Sequence, residues 1–184
     1  MRASHDAVMV GSGTACADDP LLDVRDLGLA AAAPVRVIAD GGLSLDLTSR
    51  LAQTAQQQPL WLLHRDGVDA TRRAAWEATG ATCHPCATDA ETGALDLAAL
   101  LQVLGREGIT RLLCEGGGQL AASLLRADLV DRLVVMQAGL ALGRDGIAGI
   151  GIMPDQQLSD FGRWTLKTLR RVGADSFSEW RPAR

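Results

Sequence analysis

Glu115 is followed by Gly116, Gly117 and Gly118, and the chemistry that such a glycine turn offers is anion binding. Glycines reach left-handed backbone angles and let the main chain approach a ligand closely. A helix starting behind them presents free N–H groups and a dipole that suit a phosphate. Gly116-x-Gly118-x-x-Ala121 also fits the looser dinucleotide fingerprint, although glycine triplets occur in plain strand-to-helix turns as well. Leu120, Ala121, Leu124 and Leu125 recur at helical spacing. Arg111 to Cys114 is a short apolar run, and Asp131 to Met136 reads as a following strand, so the unit is strand, glycine turn, helix, strand. A Rossmann domain closes its second strand with a carboxylate for the ribose, where this chain has Met136 and Gln137. Either the nucleotide carries a 2′-phosphate or the fold is not Rossmann.

Other residues compete for a chemical role. Asp6 to Val10 form an apolar strand that ends in Gly11, Ser12, Gly13 and Thr14, which read as a tight turn. Thr14 can bind a ligand hydroxyl or phosphate, or close its own turn. In Asp18-Asp19-Pro20, the proline restricts Asp19 to extended angles. The paired carboxylates lie where α/β sheets bind ligands, or form a solvated turn with a helix cap. Arg25 is a surface charge or an anion ligand. Cys83 and Cys86 have the spacing of half a zinc site, but no second Cys/His pair lies nearby, which favours a strand edge that carries thiols. His64 closes an apolar strand and reads as a surface or capping residue rather than a catalytic one.

The elements that must position these residues alternate. Strands are expected at residues 34–40, 60–64 and 81–85, the last confined to an edge by Pro85. Asp69 to Thr79 reads as a helix ended by Gly80. Leu97, Leu100, Leu101 and Leu104 give the clearest amphipathic helix, with Asp96 as its N-cap. Residues 27–33 read as a loop and 47–55 as a weak helix. The glycine-rich stretch 138–154 reads as a long loop that forms a flap at the site. Trp164 to Val172 and Ser176 to Trp180 read as an antiparallel hairpin. The expected architecture is α/β, a mostly parallel sheet covered by helices on both faces, with that hairpin at its edge.

Size and composition bound the function. A chain of 184 residues, 47% hydrophobic, with no Tyr and a net charge of -4, predicts one domain with an aliphatic core. The acidic balance argues against a general nucleic-acid binder. No apolar run approaches a membrane span, and the first residues lack a signal peptide's apolar core, so a cytoplasmic protein is expected.

Three segments, His5 to Arg25, Pro34 to Asp40 and Cys114 to Asp131, together resemble the reductase domain of the bacterial riboflavin-biosynthesis deaminase/reductase. The resemblance runs from about Ala3 to Trp180 and rests on Gly-Thr…Ala-Asp-Asp-Pro…Arg followed by Glu-Gly-Gly. It implies a three-layer, dihydrofolate-reductase-like fold with NADPH as cofactor. The implied reaction is hydride transfer to the ribosyl C1′ of 5-amino-6-(5-phosphoribosylamino)uracil, giving the ribityl product. Carried over by position, Thr14, Asp18, Gly41, Gly117, Gly118, Gln119, Leu120, Ala121, Ala122 and Ser123 would contact NADPH. Arg2, Leu22, Arg25 and Glu115 would line the pocket for the phosphorylated substrate, with Glu115 as the catalytic group. A homodimer is implied too. The family's opening strand, with its lysine and Ser-x-Asp-Gly turn, has no counterpart here, so residues 1–184 are expected to form a single but N-terminally incomplete domain. The family's zinc deaminase signature is also missing. Two further readings stay open: a non-catalytic or truncated nucleotide-binding protein of the same fold, and a paralogue that reduces another pterin- or pyrimidine-like compound. A short-chain Rossmann dehydrogenase would need a Tyr-x-x-x-Lys pair.

Overall fold

The computed structural model describes residues 1–25, 33–143, 146–153 and 162–183. Five short apolar segments become strands that all run the same way: β1 (Ala7–Gly11), β2 (Val35–Ala39), β3 (Leu60–Arg65), β4 (Thr82–Cys86) and β5 (Leu112–Cys114). Their order is β4-β3-β2-β1-β5, with β1 paired to β2 from Ala7↔Val35 to Gly11↔Ala39 and to β5 from Ala7↔Leu112 to Met9↔Cys114. β4, which carries Pro85, lies at the edge, where a missing N–H costs no ladder bond.

Successive strand residues face opposite sides of the sheet, and both sides are covered. Val8, Val10, Ile38, Leu60 and Leu62 pack with Ala15 of α1 (Ser12–Asp18), Leu51 of α2 (Arg50–Gln53) and Trp76 of α3 (Ala70–Ala78). Ala7, Met9, Val37 and Leu63 pack on the other side with Leu100 and Leu104 of α4 (Leu97–Arg106) and Leu124 of α5 (Gly118–Arg126). This is the three-layer arrangement expected from the alternation of elements. Helix punctuation follows the sequence. Asp96 caps α4 by accepting from the N–H groups of Ala98 and Ala99. Gly80, at φ 96°, ends α3, and an added Cβ there would lie 2.8 Å from Cγ of Gln56.

The chain ends in a second sheet. β6 (Leu133–Gln137), β8 (Asp175–Pro182) and β7 (Trp164–Val172) pair antiparallel in that order. The hairpin is as expected, but β6 does not join the parallel sheet behind α5. It makes a five-residue antiparallel ladder with β8, Leu133↔Trp180 to Gln137↔Ser176, whereas β5 is only three residues long. Among the described residues, β5 pairs with β1 alone.

Three local expectations are corrected. Gly11 to Thr14 are not a tight turn: Gly11 is the N-cap of α1, and Ser12 to Asp18 are helical. Asp19 is not extended but left-handed, at φ 39° and ψ 58°, where it ends α1 and its carboxylate accepts from the Arg50 N–H at 2.9 Å. His64 is not at the surface but only 2% exposed, because its strand is covered on both faces; its Nδ1 lies 2.9 Å from the Arg65 carbonyl. The weak helix of residues 47–55 shrinks to α2. The loop expected at 27–33 lies almost wholly outside the described residues.

Candidate functional site

Parallel strands place all their carboxyl ends on one edge of the sheet, which is where such sheets bind ligands. A cleft of about 1110 Å³ opens there. Its walls are the start of α1, the Gly41–Gly42 turn after β2, Arg65 at the end of β3, the loop into α4, and the start of α5.

The glycine turn is built by close packing. A Cβ on Gly116 would lie 2.6 Å from Cα of Val10 and 2.7 Å from the Gly11 nitrogen, so a side chain would push β5 away from β1. On Gly117 a Cβ would lie 2.8 Å from Oγ1 of Thr14, which brings α1 and α5 together at the cleft. Gly117 is the N-cap of α5, and no side chain caps that helix. Its first N–H groups therefore lack the partner that a Ser or Asp cap would supply. The described part of the glycine-rich stretch packs on the start of α5. The Gly151 N–H donates to the Gly118 carbonyl at 2.7 Å, a Cβ on Gly118 would lie 2.6 Å from the Ala148 carbonyl oxygen, and Ile147 lines the cleft. Space, an uncapped nine-residue helix and close-packed glycines fit a nucleotide's phosphates.

A second group lies at the end of β5. Arg2 grips Glu115 with Nε at 2.9 and 3.1 Å and Nη2 at 2.6 Å, and its Nη1 donates to the Asp23 carbonyl at 2.8 Å. The Glu115 hydrogen bond raises the Arg2 guanidinium further above its ordinary value. Arg25 pairs with Asp23 at 3.1 Å. Arg2 thus ties Glu115 at the end of β5 to the Asp23 main chain, beside the Asp23–Arg25 ion pair.

The expected nucleotide residues divide. Thr14, Gly41, Gly117, Gly118, Gln119, Leu120 and Ser123 line the cleft. Asp18, Ala121 and Ala122 do not: Asp18 is exposed at the far end of α1 and Ala122 is buried. Of the expected substrate residues, Arg2 and Glu115 meet, and Arg25 joins them through Asp23. Leu22 is 2% exposed within the core, with φ 55°, so its side chain is not open to a substrate there. Sequence reasoning passed over Ser12, Gly42 and Arg65, which also line the cleft. The rule that ligands sit beyond strand ends would have found Arg65, the last residue of β3.

Cys83 and Cys86 behave as packed thiols. Burial pushes both up to about 11, and Cys86 donates its S–H to the His84 carbonyl at 3.8 Å. A thiol this reluctant to ionise is a poor metal ligand or nucleophile.

A family model described as the RibD C-terminal domain matches residues 1–177, and the chain belongs to that family. It is 33% identical over 153 residues to the 2,5-diamino-6-ribosylamino-4(3H)-pyrimidinone 5′-phosphate reductase of Archaeoglobus fulgidus, covering 78% of this chain and 66% of the relative. It is 32% identical over 187 residues to the riboflavin biosynthesis protein RibD of Escherichia coli, covering 95% of this chain and 48% of that protein. The chain therefore spans about half the length of RibD. Among solved structures, Acinetobacter baumannii RibD superposes with a TM-score of 0.82 at 24% identity, covering 99% of this chain and 48% of the other. A pyrimidine reductase-like protein of Corynebacterium diphtheriae superposes at 0.78 with 18% identity, covering 100% of this chain and 78% of the other. Both likenesses confirm the expected fold. Among the described residues no helix is long and apolar enough to cross a membrane.

Proposed function

We propose that this chain is a single reductase domain that uses NADPH to reduce 5-amino-6-(5-phosphoribosylamino)uracil to its ribitylamino product in riboflavin biosynthesis. The observation that carries this reading is the uncapped start of α5, opened by Gly116 to Gly118 on the wall of the cleft, with the Arg2–Glu115 pair beside it. Riboflavin-pathway relatives at 32–33% identity support the reaction class.

The residues would act as follows. The N–H groups of Gly118 and Gln119 hold the pyrophosphate, with Thr14 and Ser123 as flanking hydroxyl donors. NADPH supplies the hydride. Arg25, whose side chain is 64% exposed, turns from Asp23 to the substrate phosphate, which guanidinium binds bidentately. Glu115, held by Arg2, accepts a hydrogen bond from the sugar and steers the proton that O4′ gains as the C1′–O4′ bond opens and C1′ gains the hydride. Most of the rate comes from holding C1′ and the hydride donor in near-attack geometry.

The purified chain should oxidise NADPH only when the ribosylaminouracil phosphate is present, followed by loss of reduced-nicotinamide absorbance. The name of the Archaeoglobus relative favours a second reading, a pyrimidinone that keeps its 2-amino group, so that compound belongs in the same assay. NADPH binding without turnover on either compound would defeat the enzyme reading in favour of a nucleotide-binding module.

A homodimer and a cytoplasmic location belong to this reading. By register, Val135 and Leu169 flank Ser178 on one face of the hairpin sheet, and Leu166 pairs with Trp180 on the same face. Val135, Leu166 and Leu169 are 40%, 42% and 67% exposed, an apolar patch that a second copy would cover. A monomeric mass by light scattering would count against the dimer.

A further inference from the structure

Of the paired carboxylates that follow α1, Asp18 is exposed, while Asp19 bonds within the molecule. Its N–H donates to the Ala15 carbonyl at 3.1 Å and closes α1. Its Oδ1 accepts from the Arg50 N–H, the first of α2, at 2.9 Å, and its carbonyl lies 3.5 Å from Nη1 of Arg50. Ser49 caps the same helix by accepting from the Ala52 N–H, so Asp19 takes a helix-end donor that Ser49 leaves open. The backbone of Asp19 is left-handed, at φ 39° and ψ 58°. Aspartate enters that region more readily than most residues, but Pro20 follows, and a proline favours extended angles in the residue before it. Such a conformation persists where the surroundings over-determine it, and residues of this kind cluster where geometry serves function.

Residues 20–25 leave α1 in the direction that this turn sets. Leu22, also left-handed at φ 55°, packs in the core with Val8, Val10 and Leu51. The Leu21 carbonyl lies 3.5 Å from Nη1 of Arg36, a fully buried residue of β2. The Asp23 carbonyl accepts from Nη1 of Arg2 at 2.8 Å. Arg25 comes two residues later and pairs with the Asp23 carboxylate at 3.1 Å, its side chain largely exposed. The segment is a strap with two different ends. Asp19 pins the first to α2, and the second carries Arg25 next to the guanidinium that holds Glu115. Because Leu22 anchors the middle in the core, loss of the Asp19 bond would turn the strap about Leu22 rather than release it, and that displaces Arg25.

We propose that Asp19 is a positioning residue for substrate binding: it fixes the strap of residues 19–25 on α2 so that Arg25 stands where the substrate phosphate arrives. The proposal rests on the reductase reading and adds to it the residue that places its phosphate ligand. The test compares Asp19→Asn, which keeps an oxygen acceptor and tolerates the left-handed backbone, with Asp19→Gly, which keeps the backbone freedom alone. Each variant is first checked for cooperative urea unfolding. Steady-state kinetics give KM for the ribosylaminouracil phosphate, and fluorescence titration gives NADPH affinity. The expected result is that Asp19→Gly raises that KM about three- to tenfold, the scale of one lost hydrogen bond, with NADPH affinity unchanged, and that Asp19→Asn stays within about twofold of the wild type. The rise should vanish in an Arg25→Ala background, because two residues that act through one contact are not additive. A folded Asp19→Gly chain with the wild-type KM, an equal loss of NADPH affinity, or a KM rise that persists in full beside Arg25→Ala makes Asp19 a purely structural residue and overturns the assignment, while the reductase reading stands. An Asp19→Asn chain as impaired as Asp19→Gly overturns it too, because the bond to Arg50 is then not the cause. A wild-type chain that turns over neither candidate compound overturns the reductase reading itself, and this assignment with it.

Discussion

Gly116→Ala tests whether the glycine turn is set by packing between strands. The added Cβ would lie 2.6 Å from Cα of Val10, 2.7 Å from the Gly11 nitrogen and 3.0 Å from the Val10 carbonyl carbon. Carbon atoms rest about 3.5–4.0 Å apart, so the two backbones must separate by roughly 1 Å. Both neighbours are main chain of β1, which is paired on both sides, so no side chain can swing away. Overpacking of this kind costs about 1–3 kcal/mol, and the upper end applies when backbone must move. At about 2–4 °C per kcal/mol for a chain of this size, the melting midpoint should fall by roughly 6–12 °C. Thermal and urea unfolding measure the loss, and an NADPH titration of the folded variant should show weaker binding, because the same shift moves the start of α5. Two controls isolate the cause. A Cβ on Gly11 meets only Cδ2 of Leu120 at 3.9 Å, so Gly11→Ala should stay within about 0.5 kcal/mol. A Cβ on Gly105, inside α4, meets nothing within 4 Å, and Gly105→Ala should gain about 0.5–1 kcal/mol. A Gly116→Ala chain as stable as the wild type, with full nucleotide affinity, would refute the reasoning.

Glu115→Gln should reduce turnover by about a hundredfold while changing stability by less than about 1 kcal/mol, since the ion pair with Arg2 is partly solvated; steady-state kinetics and urea melts read the two effects separately, and equal losses in both would make Glu115 a structural residue. Asp6 accepts from the Thr110 hydroxyl, the Thr110 N–H and the Arg111 N–H, which lower it to about 2. A carboxyl depressed in the folded state stabilises above its unfolded value and loses that contribution as pH falls through its folded one. The wild type should therefore lose stability between about pH 4 and pH 2, and Asp6→Asn should flatten that part of the curve; a variant with the wild-type slope there would show that the carboxylate is not responsible. Cys16 is exposed and Cys86 is buried, with its thiol pushed up to about 11. Mass spectrometry after brief iodoacetamide treatment at neutral pH should find Cys16 labelled first and Cys86 only on unfolding, and rapid labelling of Cys86 would contradict the packing of β4.

The parts legible in the sequence were those that follow from local patterns. The Leu97–Leu104 stripe, the Asp96 cap, the Gly80 stop, the confinement of Pro85 to an edge and the glycine turn before α5 all depend on a few neighbouring residues, and each lies where the pattern put it. The departures depend on distant partners. Residues 133–137 pair with β8 and not with β5, and nothing between residues 111 and 137 encodes that partner. His64 is buried because β4 and the core cover β3. Asp19 takes a left-handed conformation, and its carboxylate bonds to the backbone of Arg50, 31 residues away. Within the site, the glycines and Thr14 were readable from type and spacing. Arg65 carries no motif, and only the rule that ligands sit beyond strand ends would have pointed to it.

The register between β1 and β5 explains how the acid and the glycine turn come to share one place. Met9 lies opposite Cys114, so continuing the count sets Glu115 level with Val10 and Gly116 level with Gly11. A slip of one residue would exchange the faces of the strand, sending the Glu115 carboxylate toward the core and a glycine into its present position. The same pairing settles how Arg2 reaches its partner. The Asp6 N–H donates to the Arg111 carbonyl, four residues before Glu115, so the chain ahead of β1 must fold back toward the carboxyl end of β5 for the guanidinium to meet that carboxylate. The helical turn at Arg2–Ser4 and the bond from Arg2 to the Asp23 carbonyl provide that reversal. Glu115 is therefore faced by the register of its own strand and held in place by Arg2, 113 positions earlier in the chain.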